Sequence, residues 1–240
     1  MNATGPGQKG LYLSPHFDDA AFSLGGWIAD RPGGLLVNIF TRSEYTWKQQ
    51  ITGVEAVSAA RAAEDAAFAA RCGLEMVTLG LMEPSLLGRD PRDAAGLADD
   101  VARLRAPLTE LLDVRVEADT AVFCPAGIGG HVNHLATRLV AWDWATRRGR
   151  QRQMRFYEDL PYASHRRHRG AGIADLKAAT AGWTLRRHAW RTGSAKLELV
   201  HLYRTQVDPR WSRRDFSPLA LWPPGAHEAV WVPDREHTSS

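Results

Sequence analysis

Five short apolar runs separated by helix-forming segments constrain the fold of this chain more than any other feature. Leu11-Tyr12-Leu13 comes first, followed by Leu35 to Phe40, Met76 to Leu79, Thr120 to Cys124 and Met154 to Tyr157. Helix candidates lie between them over Asp19–Ala29, Ala56–Arg71, Leu97–Val114 and His131–Arg147. Arg31-Pro32-Gly33-Gly34 breaks the first helix from the second strand, and Gly73 suits the end of the alanine-rich second helix. The third helix carries Leu97, Val101, Leu104, Leu108 and Leu111 on one stripe. The β-α-β-α-β-α-β-α-β alternation predicts an α/β fold: a Rossmann-like, mostly parallel sheet with helices on both faces.

Polar Thr41–Ile51 reads as a loop, as does Met82–Gly96 with Pro84, Gly88 and Pro91. Past Pro161 the pattern changes. Leu197–Tyr203 reads as helix, while Trp222-Pro223-Pro224 and Val230-Trp231-Val232-Pro233 read as irregular or strand-like C-terminal elements on the core. With no repeat and no linker, the 240 residues read as one domain, 1–240.

Charge and cysteine usage exclude several function classes. The 44% hydrophobic fraction supports a sizeable core, and the net charge is only +3. The basic cluster His165-Arg166-Arg167-His168-Arg169 reads as a solvated loop, and no aromatic residues interleave with it as on a stacking platform, so no nucleic-acid partner is expected. Cys72 and Cys124 lack CxxC partners and read as buried thiols of a reducing compartment. Residues 1–10 are polar and glycine-rich without an apolar signal core. No run approaches the roughly 20 apolar residues of a membrane span, so a cytoplasmic location is expected.

Two segments carry the chemistry. Ser14-Pro15-His16-Phe17-Asp18-Asp19 and Gly130-His131-Val132-Asn133-His134 each follow a predicted strand and lead into a predicted helix. An α/β fold gathers such strand ends around a site. His16 and Asp19 are i, i+3 across a first helical turn and can converge on one point, leaving Asp18 free to accept a proton. Taken alone, Asp18 and Asp19 read as helix caps, and His131 with His134 as packing. Together they offer two histidines and a carboxylate with an open position, a recurring hydrolytic zinc set. The chain therefore reads as a metal-dependent amide hydrolase.

Glu158 and Asp159 stand at a strand end, either as a structural turn or as support for a ligand histidine or substrate. Arg42, just past the second strand, is a further candidate for substrate contact. Tyr45 and Trp47 could form a sugar-stacking wall, whereas Trp183, Trp190, Trp211, Trp222 and Trp231 read as packing residues.

His16-Phe17-Asp18-Asp19 with the later His131-Val132-Asn133-His134 resembles the PIG-L/LmbE-like zinc-dependent N-deacetylases, whose motifs read H-P-D-D-E and H-x-D-H. Arg61-Ala62-Ala63-Glu64 with Cys72-Gly73, Tyr157 to Tyr162, and Lys196 through Tyr203-Arg204-Thr205-Gln206 extend the resemblance over most of the chain. It implies His16, Asp19 and His134 as ligands of Zn2+; because a histidine–carboxylate set selects weakly by geometry, Fe2+ or Co2+ are alternatives. It further implies Asp18 as general base and His131 as stabiliser of the oxyanion or donor to the leaving amine. The implied substrate is a small N-acylated, sugar-containing molecule that loses its acetyl group. Three residues depart from the motifs: Phe17 for proline, Ala20 for glutamate and Asn133 for the aspartate that would pair with His131. Without that carboxylate the pKa of His131 should fall, making it a neutral donor.

Other classes fit less well. An amidase acting on a larger acylamide or thiol conjugate would use the same residues, and a metal-binding pseudoenzyme would lack a base, although Asp18 is present. A nucleotide-binding module would carry G-x-G-x-x-G after the first strand, where Ser14-Pro15-His16 stands instead.

Overall fold

The computed structural model describes residues 9–47, 50–208, 210–218 and 225–234. The expectations for residues 1–8, for part of the 41–51 loop and for Trp222-Pro223-Pro224 lie outside the described residues. The elements in chain order are β1 (Gly10–Ser14), α1 (Asp19–Asp30), β2 (Leu35–Arg42), α2 (Val54–Cys72), β3 (Glu75–Met82), α3 (Leu97–Arg115) and β4 (Ala121–Pro125). They continue with α4 (Val132–Arg148), β5 (Met154–Tyr157), α5 (Arg166–Ala179), β6 (Thr184–Arg191), α6 (Ala195–Val200) and β7 (His227–Asp234). One sheet holds all seven strands in the order β3-β2-β1-β4-β5-β7-β6.

The five expected strands pair in parallel, from Leu11 opposite Leu35 at one junction to Val122 opposite Met154 at another. The inner strands β1, β2, β4 and β5 are buried almost throughout, which is why each reads as a largely apolar run. With the right-handed crossovers that parallel strands adopt, this strand order puts α1 and α2 on one face and α3 and α4 on the other; α6 packs on α1 and α3 on α4. The strand order reverses direction between β1 and β4, so the segments after these two strands face each other across a crevice.

The structure corrects several sequence expectations. The buried stripe of α3 is Asp100, Leu104, Leu108 and Leu112, while Leu97, Val101 and Leu111 are only partly buried, so the stripe is rotated and includes an acid. The His165–Arg169 cluster is no loop: it enters α5, and Arg169 makes a two-pronged contact to Glu158 at 2.7 and 2.8 Å. Residues 82–96 include two short 3-10 turns, Pro84–Leu87 and Ala94–Gly96. The arginine-rich β6 was not expected at all. It pairs antiparallel with β7, which in turn pairs antiparallel with β5.

β7 does more than extend the sheet. Its Glu228 accepts from the backbone N–H groups of Gly26 and Trp27, both at 2.8 Å, and from Trp190 Nε1 at 3.0 Å. Lys196 of α6 pairs with the same carboxylate and donates to the Phe22 carbonyl, the acceptor a regular helix assigns to the Gly26 N–H. A fully buried ion pair is thus spliced into the hydrogen bonding of α1. Cys72 and Cys124 are free and buried. No helix among the described residues is long and apolar enough to cross a membrane.

Asp65 of α2 accepts from Tyr203 Oη and from Asn38 Nδ2 of β2, both at 2.6 Å. Burial pushes its carboxyl up to about 8 against the pull of those two donors. A carboxyl raised in the fold binds its proton more tightly there than in the unfolded chain. The stability it contributes is present at acid pH and is lost as pH rises through about 8. Asp65→Asn should therefore gain stability relative to wild type at roughly 1.4 kcal/mol per pH unit across that window. Denaturant unfolding of both proteins at pH 5, 7 and 9 tests this, and a constant difference would refute it.

Candidate active site

The turn after β1 is built by its own polar groups. Ser14 Oγ donates to the His16 carbonyl at 2.5 Å and accepts from the Ala20 N–H at 3.1 Å. The His16 N–H reaches Asp19 Oδ2 at 2.8 Å, so the first turn of α1 draws His16 and Asp19 together. Asp18 occupies the N-cap position of α1 but makes no side-chain cap bond. Its carboxylate instead lines a pocket of about 480 Å³, a size suited to a small molecule.

After β4 the chain runs through Gly127, Gly129 and Gly130 in left-handed conformations. At Gly129 the reason is visible, because a Cβ there would lie 2.6 Å from the Tyr162 ring that walls the pocket. His131 caps α4, its Nδ1 accepting the Asn133 N–H at 3.2 Å. The three imidazoles of His16, His131 and His134 cluster with centroids 4.7 to 5.3 Å apart.

Asp19 Oδ2 lies 3.0 Å from His16 Nδ1 and 3.3 Å from His134 Nε2. Each ring is held from behind. His134 Nδ1 meets Asp159 Oδ1 at 2.7 Å, and His16 Nε2 meets Asn133 Oδ1 at 3.0 Å. With those outer nitrogens donating, the inner nitrogen of each neutral ring is an acceptor aimed at the Asp19 carboxylate. Converging acceptors of this kind fit a cation. Donor atoms of His16, His131 and His134, and of His16, Asp18 and Asp19, lie within 4.8 Å of one another. Burial alone would lower His134, yet the Asp19 and Asp159 carboxylates push it up to about 10. His16 likewise rises against burial through Asp19 and Glu83.

Two further groups shape the site. Burial and the neighbouring Asp19 push the Asp18 carboxyl up to about 6, against the pull of Arg61. Arg61 Nη2 lies 3.8 Å from Asp18 Oδ1, and Nη1 donates to Glu83 Oε1 at 2.7 Å. Glu83 Oε2 accepts from Ser43 Oγ at 2.9 Å. His131 falls well below the usual imidazole range through burial and repulsion from the other two rings. The direction matches the sequence expectation, but the cause differs: the Asn133 side chain touches His16, not His131.

The structure sorts the remaining sequence candidates. Asp159 accepts from His134 Nδ1 and from the Ile128 N–H, directly behind the cluster. Glu158 turns away, bound by Arg169, Arg187 and Trp231 Nε1, and does not line the pocket. Arg42 pairs with Glu55 and does not line it either. Tyr45 lines the pocket; Trp47 stands behind Trp211 at 6.1 Å, and Trp211, read as packing, is itself a wall residue. Sequence reasoning assigned no site role to Arg61, Glu83, Arg92 or Tyr162, all of which line the pocket. The only signals for any of them were the R-x-x-E match at Arg61 and the Tyr157 to Tyr162 match that ends on Tyr162.

No family model matches the chain. Over 165 residues it is 34% identical to a 2'-N-acetylparomamine deacetylase of Streptomyces fradiae, a stretch covering 65% of this chain and 58% of that protein. The chain thus spans less than two thirds of the length of that relative. Among solved structures, a deacetylase of the teicoplanin biosynthesis pathway superposes with a TM-score of 0.72 at 20% identity, covering 96% of this chain and all of that one. The A40926 pseudoaglycone deacetylase Dbv21 gives 0.68 at 20% identity, over 95% and 98% of the two chains. A zinc-inhibited form of teicoplanin deacetylase Orf2 gives 0.69 at 20% identity, over 96% of this chain and all of that one. These likenesses establish the α/β fold.

Proposed function

We propose that the chain is a zinc-dependent N-deacetylase that removes the acetyl group from an acetamido sugar. The observation that carries the reading is the convergence of His16 Nδ1 and His134 Nε2 on Asp19 Oδ2, each ring braced from behind, beside an uncapped Asp18. His16, Asp19 and His134 would hold the metal. A divalent cation there supplies a Lewis acid for the amide carbonyl and acidifies a water.

The other roles belong to the chain's own groups. Asp18, a buried carboxylate raised to about 6, accepts the proton of the attacking water and is suited to general-base work near neutrality. Arg61 steadies its charge from 3.8 Å. His131 accepts at Nδ1, so the neutral ring keeps its proton on Nε2 and donates a hydrogen bond to the oxygen that becomes negative. Collapse with return of the proton to nitrogen gives acetate and a free amine. Phe22, Tyr45 and Trp211 on the pocket wall suit a sugar ring. The relative that acts on 2'-N-acetylparomamine supports an acetamido sugar as substrate.

The test is acetate release from a panel of N-acetylated amino sugars, measured on chelator-stripped protein and after adding back zinc. Release that appears only with metal supports the reading. A metal-loaded protein that releases no acetate from any of them would overturn it.

A further inference from the structure

We propose that Asp100 is a positioning residue for His16, acting through Asn133, so that the charge bracing this ligand sits on α3. The proposal rests on the reading of His16, Asp19 and His134 as a metal site.

Asp100 is fully buried on the inner stripe of α3. Its Oδ1 accepts from Arg89 Nη2 at 2.7 Å and from Arg103 Nη2. Its Oδ2 accepts from Asn133 Nδ2 at 2.8 Å. An ionised carboxylate only accepts, so it compels the Asn133 amide to turn its NH2 outward and its oxygen inward. That oxygen lies 3.0 Å from His16 Nε2 and only accepts in turn. The His16 proton is therefore held on Nε2, and the Nδ1 lone pair faces Asp19. Polarity set on one helix is transmitted through an amide to the ring on another segment.

The two histidines thus receive the same support in different forms. His134 has a carboxylate directly behind it, Asp159 at 2.7 Å. His16 has one behind an amide. Two arginines alone would satisfy Asp100 as a buried ion pair, and its third bond is the one that fixes the amide. Arg89 also donates to the Gly96 carbonyl at 3.0 Å, which ties the loop before α3 to the same carboxylate.

Zinc affinity, measured by competition with a chromophoric chelator, tests the proposal on wild type, Asp100→Asn, Asn133→Asp and the double variant. Thermal unfolding in excess chelator reports metal-free stability separately. Asp100→Asn frees the amide to turn and should weaken zinc binding about 10–100-fold. Asn133→Asp sets a carboxylate against that of Asp100 and should also weaken binding. The double variant restores a donor facing an acceptor, and its affinity should return to within a few-fold of wild type even if its melting temperature stays low. A double variant no tighter than Asp100→Asn, or an Asp100→Asn affinity within two-fold of wild type, overturns the proposal. If Asp100→Asn does not fold, the sign for Asn133→Asp decides. Were Asp100 without influence, a carboxylate placed directly on His16 would tighten zinc binding. Wild type that binds no zinc refutes the metal-site reading itself, and the proposal with it.

Discussion

Replacing Asp18 with asparagine is expected to leave metal content unchanged and to lower acetate release by about 10²–10⁴-fold. Asp18 is not in the ligand set read here, and it makes no cap bond that its loss would break. The amide keeps the size of the side chain and its place beside Arg61, 3.8 Å from the original carboxylate oxygen. What it loses is the capacity to take a proton. Metal analysis and turnover measured on the same preparation separate this from damage to the site. Asp18→Asn with full metal and near-wild-type turnover would remove Asp18 from the chemistry.

The second large effect concerns stability. Glu228→Gln should lower stability by about 3–5 kcal/mol, because it leaves the Lys196 ammonium buried without its counter-charge. For a chain of this size that corresponds to a fall of roughly 6–20 °C in melting temperature. Adding Lys196→Met removes the stranded charge and should recover much of the loss. A Glu228→Gln protein that melts within a degree of wild type would show that the pair is solvated or dispensable. The effect should reach the site, since the helix spliced by this pair begins at Asp19.

The inner strands were legible because burial on both faces demands largely apolar runs, as in Leu35 to Phe40, where Asn38 is the one polar residue. β6 was not, since an edge strand has one open flank, and Arg186, Arg187, His188 and Arg191 mask its extended form. α5 was missed for a related reason: only Gly172 and Leu176 of its residues are buried, which leaves no apolar stripe to read. In the site, His16, Asp18, Asp19, His131 and His134 were visible as clusters at strand ends. Their supports were not. Asp159 reaches His134 across 25 positions and Asp100 reaches Asn133 across 33, distances at which spacing carries no signal. Asp100 also hid among helical surface acids, because Leu97, Val101 and Leu111 draw the apolar stripe of α3 away from it, although of that stripe only Leu104 and Leu108 are fully buried.

The bond from Glu228 to the Gly26 N–H joins residues 202 positions apart. At a synthesis rate of about 5–20 residues per second, roughly 10–40 s separate the emergence of the first helix from that of the carboxylate that pins it. During this interval a nascent chain already carries His16 and Asp19 but lacks the clamp on the helix that presents them. His134 and Asp159 also arrive long before the clamp. If His16, Asp19 and His134 hold a metal as proposed, firm capture is expected only after β7 has docked, when the first helix has gained its fixed hydrogen bonding.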